Sequence, residues 1–254
     1  MLQEKRIYTD NWLGISFSDL DISLSRTSLA TSEFYSCFYK KFFINYSNYD
    51  DLPADYLRSK KETSQELLRL LNSGNNVLSY GCGIGTIENF LIKDKNINLY
   101  LFDFAKKNTK WIEGKYENVH ILDSLNLNRK YNTIYLCQVL YSLKYNECIN
   151  LLKKLKNYLS VNGQIIIINN SYENLLSQTR KSSIGKLLFN NVKDFIRPLY
   201  NIVLSKLIRK EQIQFWGWKR TYKRYQQVLK SAQLKFEYSF IAANQSFIIA
   251  KLIL

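Results

Sequence analysis

One histidine, four cysteines, two prolines and no long apolar run set the first limits on this chain of 254 residues. Cys37, Cys82, Cys137 and Cys148 share no metal-ligand spacing, so no metal is expected and the thiols should be reduced. The longest aliphatic run, Ile165 to Ile168, is far too short to span a bilayer. The opening Met1-Leu2-Gln3-Glu4-Lys5-Arg6 lacks the apolar segment of a signal peptide, which leads to the expectation of a soluble, cytoplasmic protein. The lone His120 lies inside a short strand-like run, where packing is a better expectation than general-base work. Acidic residues are also few, 21 against 36 basic, for a net charge of +15.

That charge is not spread evenly. From Arg180 to Arg224 stand twelve basic residues against two acidic ones, so ten of the net fifteen charges fall in that segment. A local field of this sign attracts phosphorylated small molecules, nucleic acid or an anionic membrane surface. A solvated, Lys-rich helix face would account for it equally well.

What is present is a glycine turn. Val77-Leu78-Ser79-Tyr80 is a short apolar run, followed by Gly81-Cys82-Gly83-Ile84-Gly85 and then a helix-compatible segment from Thr86. This order reads as a buried strand entering a tight turn that opens into a helix. Glycine allows positive φ and lets a ligand approach the backbone, while the helix N-terminus offers free N–H donors to an anionic group. The dinucleotide fingerprint G-x-G-x-x-G would need its third glycine at Thr86, so the spacing disfavours a nicotinamide cofactor.

The G-x-G-x-G spacing after a strand and before a helix resembles the first motif of class I (Rossmann-like) S-adenosylmethionine-dependent methyltransferases. The resemblance covers about residues 75 to 170 and, less closely, 222 to 254. It implies a seven-stranded, mostly parallel sheet with helices on both faces. It also implies a loop, Ser79, Tyr80, Gly81, Cys82, Gly83 and Gly85, that cradles the methionine end of the cofactor. Asp103, at the end of the next strand, would then hold the ribose hydroxyls with Phe104 beside it. Asp123, Ser124 and Leu125 would meet the adenine, and Gln138 would lend a backbone carbonyl. S-adenosylhomocysteine would be the product. One position departs from the pattern: the family usually carries an acid two residues before the first glycine, to hold the cofactor's ammonium, and this chain has Ser79. No C-x-x-x-C-x-x-C cluster points to radical use of the same cofactor.

Strand and helix alternate from Asn76 onward, as a parallel sheet covered on both faces requires. The expected strands are 77–80, 97–102, 119–122, 133–137 and 164–168, with a short helix over 108–114 and an amphipathic one over 147–159. A last helix, 222–231, should lead to strands 236–241 and 247–253. The resulting organisation is an α/β core over 73–170, a helical N-terminal cap over 1–72, a basic helical insert over 171–221 capping the acceptor, and a closing helix and strand pair over 222–254. The aromatics of 31–49 (Phe34, Tyr35, Phe38, Tyr39, Phe42, Phe43, Tyr46 and Tyr49) read chiefly as helix packing.

For the acceptor, Tyr141, Trp216, Trp218 and Arg220 are the candidate contacts. The stretch Gln214 to Thr221 resembles those in bacterial enzymes that methylate surface polysaccharides. This suggests transfer to an oxygen of a small anionic acceptor such as a sugar, sugar phosphate or glycan precursor. No residue is singled out as a base; Tyr141 and Glu173 are candidates, with Ser142, Asn169, Asn170 and Tyr172 nearby. An RNA substrate is disfavoured because no RNA module is recognisable, and no Asn/Asp-Pro-Pro-Tyr motif follows the fourth strand. Peripheral membrane contact through 180–224 on a non-catalytic relic of the fold is the remaining alternative. Oligomeric state is left open.

Overall fold

The computed structural model describes residues 4–24, 27–105, 108–170 and 213–253. Strands β1 (Glu4–Thr9), β2 (Asn11–Trp12) and β3 (Ile15–Ser16) come first, then helices α1 (Ser32–Asn45) and α2 (Ala54–Leu70). The core follows: β4 (Asn76–Tyr80), α3 (Thr86–Asp94), β5 (Asn98–Phe102), β6 (Val119–Ile121), β7 (Tyr131–Cys137), α4 (Tyr145–Lys156) and β8 (Leu159–Asn169). After β9 (Gln214–Arg220) come α5 (Tyr222–Ser231), β10 (Leu234–Ala242) and β11 (Gln245–Leu252).

Seven strands form one sheet in the order β10-β11-β8-β7-β4-β5-β6. Strands β4 to β8 are parallel, and β11 pairs antiparallel with β8 and β10. The chain lays β5 and β6 on one side of β4, then β7 and β8 on the other. The order therefore reverses between β4 and β7, where ligands of open α/β sheets bind.

Both parities of the central strands are apolar because both faces are covered. Val77, Leu99, Ile166 and Ile168 pack with Leu67 at the end of α2 and Ile87 and Leu91 of α3. Their neighbours Leu78, Ile134, Ile165 and Ile167 pack on the other face with Leu152 and Leu155 of α4 and Val228 and Leu229 of α5. Each fully buried aliphatic side chain contributes about 1.5–3 kcal/mol, which is why these runs specify the sheet so firmly. The β10–β11 hairpin turns at Ala243 and Asn244, with φ of 47° and 56°, the conformation a two-residue hairpin favours.

A third, aromatic layer covers the carboxyl end of the sheet. Phe17, Phe34, Phe38, Phe42 and Tyr49 are its buried members, with Trp12, Trp111 and Trp216 packed around them. Strand β1 runs antiparallel to β9 and carries this layer's outer edge, with Ile7 opposite Gly217.

Three expectations change here. The N-terminal cap is not helical throughout, since it opens with β1 and the short β2–β3 pair; the run Lys5 to Thr9 finds a strand partner far away in sequence. Residues 214–220 are a strand rather than the end of a helical insert, as the aromatic spacing of Phe215, Trp216 and Trp218 favours. Residues 108–114 form successive turns instead of a helix, because Trp111 joins the aromatic layer while adjacent Ile112 is buried in the core. The remainder of the basic segment, 171–212, lies outside the described residues, and Tyr172 and Glu173 with it.

Candidate active site

The apolar strand β4 delivers the chain into the glycine turn at the point of strand reversal. Gly81, Gly83 and Gly85 all adopt left-handed φ, at 77°, 57° and 75°. Gly81 N–H donates to the Phe102 carbonyl at 2.7 Å, and Gly85 N–H to the Cys82 carbonyl at 3.1 Å. The three glycines serve different ends. A Cβ on Gly81 would come 2.5 Å from Val139, and one on Gly85 would crowd Ile112 and Tyr49, so those two answer to packing. At Gly83 a Cβ would meet only the Tyr39 hydroxyl, at an ordinary 3.6 Å, so packing does not demand this glycine.

Asp103, just beyond β5, closes the turn. Its Oδ2 accepts the Gly83 N–H at 2.8 Å and its Oδ1 the Ala105 N–H at 2.9 Å. Burial pushes its carboxyl above the ordinary range, and those two donors pull it back. Each carboxylate oxygen keeps a second lone pair for a ligand hydroxyl. Next to it Phe104 is 80% exposed, lying edge-on to Tyr80 and Phe102, a bare ring at the mouth of the crevice. Asp123 and Ser124 are exposed past the end of neighbouring β6, and Leu125 is half-buried.

Ser79 is not bare. Its hydroxyl donates to Glu88 Oε1 at 2.6 Å, and the Tyr135 hydroxyl donates to the same oxygen at 2.5 Å. Glu88, in the first turn of α3, is 2% exposed. Burial raises its carboxyl above the ordinary range, opposed by the two hydroxyls and by the charge of Lys60. Cys82 is pushed well up by burial and then by Glu88 and Asp103, so it remains a neutral thiol.

Gln138 is held with φ of 55°, and its amide donates to Gln245 at 2.9 Å, which in turn donates to Thr63 at 2.7 Å. Its side chain is therefore committed to α2 and β11, which leaves only its backbone for a ligand.

Over the turn lie tyrosines of α1 that the sequence marks chiefly as packing residues. Tyr35 hydrogen-bonds Tyr141, and Tyr39 stands above Gly83. Burial pushes Tyr35 up to about 12, and Tyr39 and Tyr141 well above their ordinary value. The Tyr49 hydroxyl donates to the Ile84 carbonyl at 2.7 Å, tying the aromatic layer to the turn itself. The four-residue spacing of Tyr35 and Tyr39, which puts both on one face of a helix, was the available signal.

The acceptor residues divide. Trp216 packs with Tyr35 and with Tyr141, its ring centroid 6.3 Å from the latter. Trp218 instead packs against Phe215, so the two indoles do not form one wall. Arg220 is fully buried: it donates to the Leu140 and Leu143 carbonyls at 2.6 and 2.5 Å and pairs with Glu4. A guanidinium so engaged holds the 140–143 turn and cannot greet an anion, which corrects the expectation for Arg220. His120, on the edge strand β6, is stacked on Tyr100 of β5 at 4.8 Å.

The family model described as "Methyltransferase domain" matches residues 55–235. Among curated proteins no match is found. The chain is similar in fold to CalO1, a methyltransferase of calicheamicin biosynthesis solved with S-adenosylhomocysteine, with a TM-score of 0.56 and 10% identity over 87% of this chain and 58% of that one. It is similar to human N-acetylserotonin methyltransferase in complex with S-adenosylmethionine, with a TM-score of 0.53 and 16% identity over 78% and 55% of the two chains. It thus spans little more than half the length of these two proteins. A third likeness is to magnesium protoporphyrin IX methyltransferase from Synechocystis with bound S-adenosylhomocysteine, with a TM-score of 0.53 and 14% identity over 87% and 95%.

Proposed function

The chain belongs to the methyltransferase-domain family, and we propose that it binds S-adenosylmethionine over the Gly81–Gly85 turn and methylates an oxygen of a small acceptor. The observation that carries the reading is the Asp103 closure of a turn whose middle glycine is not demanded by packing. When bound, the cofactor would supply an electrophilic methyl carbon, to which an acceptor oxygen would bond as the carbon–sulfur bond breaks, with S-adenosylhomocysteine leaving as the neutral thioether and a hydroxyl acceptor's proton passing to water. Asp103 holds the ribose through its remaining lone pairs, Phe104 offers its exposed ring to the adenine, and Asp123 and Ser124 contact the base from the next strand end.

Tyr35, Tyr39 and Tyr141 are neutral at physiological pH because burial keeps them protonated. A neutral phenol orients an acceptor oxygen by hydrogen bonding but does not remove its proton. Tyr141 therefore positions the acceptor rather than acting as base, and alignment with exclusion of water carries the rate. Trp216 offers a half-buried aromatic surface beside these hydroxyls, which suits the C–H face of a sugar; this supports the glycan-precursor reading. An anionic group on that acceptor would not be met by Arg220, whose guanidinium is already engaged by the Leu140 and Leu143 carbonyls and Glu4.

Calorimetric titration with S-adenosylhomocysteine tests the cofactor assignment. Saturable one-to-one binding is expected, and no heat at millimolar ligand would sink the reading. Methyl transfer from labelled cofactor to sugar phosphates, compared with small phenols, then tests the acceptor class.

A further inference from the structure

We infer that Glu88 is the carboxylate that receives the ammonium end of the turn's ligand, acting from α3 through Ser79 in place of the acid that β4 lacks. The inference rests on the S-adenosylmethionine reading above. A buried carboxylate is costly unless it is paired and hydrogen-bonded. Glu88 is 2% exposed, yet among the described residues it forms no ion pair. Lys60 acts on it only at longer range. Both of its hydrogen bonds from side chains fall on one oxygen, Oε1, which accepts from Ser79 and Tyr135. Accepting two hydroxyl donors marks Glu88 as an acceptor held in its place before any ligand arrives.

Position gives this cluster its meaning. Ser79 is the last-but-one residue of β4, directly before the turn, and Glu88 is on the helix that the turn opens. With its proton committed to Glu88, the Ser79 hydroxyl can only accept from a third group. Polarised by the carboxylate, its oxygen carries added negative charge two residues before the turn's first glycine. Ser79, which bonds Glu88, lies two residues before Gly81, so the cluster is anchored at the base of the turn. A positively charged group on the ligand relieves the unpaired buried charge, and an uncharged ligand does not. Glu88 is thus a positioning residue whose effect is confined to ligands carrying the ammonium.

Two ligands separate this from a purely structural role: S-adenosylhomocysteine, which has the amino-acid tail, and 5′-methylthioadenosine, which lacks it. Glu88→Gln keeps the shape and removes the charge. Calorimetry should show about tenfold weaker binding of S-adenosylhomocysteine, the scale of a hydrogen bond to a charged group, with 5′-methylthioadenosine within about twofold of the parent. Glu88→Gln with Ser79→Asp returns the acid to the strand and should restore S-adenosylhomocysteine affinity to within about threefold. Equal weakening of both ligands, no weakening of either, or a double variant that binds the tail-less ligand normally yet stays weak for S-adenosylhomocysteine would each overturn the inference. A parent protein that binds neither ligand would instead sink the cofactor reading itself.

Discussion

The sheet and the aromatic layer above it are built on different principles, and the site lies along their seam. The sheet is aliphatic, parallel and buried on both faces, with Leu78, Ile134, Ile166 and Ile167 fully enclosed. The covering layer is made of rings held by edge-to-face contacts and long-range pairings, such as Tyr8 opposite Phe215. The sheet presents the turn, Asp103 and Phe104. The cover presents Tyr35, Tyr39 and Trp216. On the proposed reading the donor is held by the rigid sheet and the acceptor shaped by the cover.

The contrast can be broken from the cover's side first. Gly217 has φ of 146°, and a Cβ there would run into the Tyr141 carbonyl. Gly217→Ala should cost about 3 kcal/mol in urea unfolding and raise hydrogen exchange in β1 and β9 before β4. Arg220→Met leaves two buried carbonyls and Glu4 without their donor, and should cost about 2 kcal/mol while S-adenosylhomocysteine affinity stays within error. An acceptor-binding arginine would show the opposite pattern.

The sheet's side gives smaller but more specific effects. Asp103→Ala should weaken S-adenosylhomocysteine by about tenfold in calorimetry, or about 1.4 kcal/mol, since the ligand loses its ribose partner. Tyr39→Phe should change that affinity by about twofold at most and act instead on the acceptor's KM, because one neutral hydrogen bond is worth about 1 kcal/mol or less. The smallest effect is on pH. Asp103 and Glu88 both lie above their ordinary values in the folded chain, chiefly through burial. The folded state then holds protons more tightly than the unfolded one, so stability present at low pH declines as pH rises from the ordinary carboxylate range through the raised values. Thermal unfolding from pH 4 to 7 should show this slope, and Glu88→Gln should flatten it.

The sheet was readable because burial on both faces forces aliphatic runs such as 165–168, and because the hairpin and α5 carry local signals. The helix 222–231 and the strand before the glycine turn were found nearly to the residue. The cover was not readable, since its logic is non-local. Nothing within Lys5 to Thr9 announces β9 as its partner, and a basic residue beside two indoles looks like a binding site until Arg220 is seen buried. Glu88 was hidden for a related reason: Ser79 appeared to be a missing acid, whereas the carboxylate stands nine residues on, folded back by the helix the turn begins.

The most direct measurement is a crystal structure with S-adenosylhomocysteine. The ribose hydroxyls should lie on Asp103, the adenine beside Phe104 and the amino-acid tail over Gly83 with its ammonium toward Ser79. A ligand found elsewhere at saturating concentration, or ribose hydroxyls that do not meet Asp103, would contradict the account.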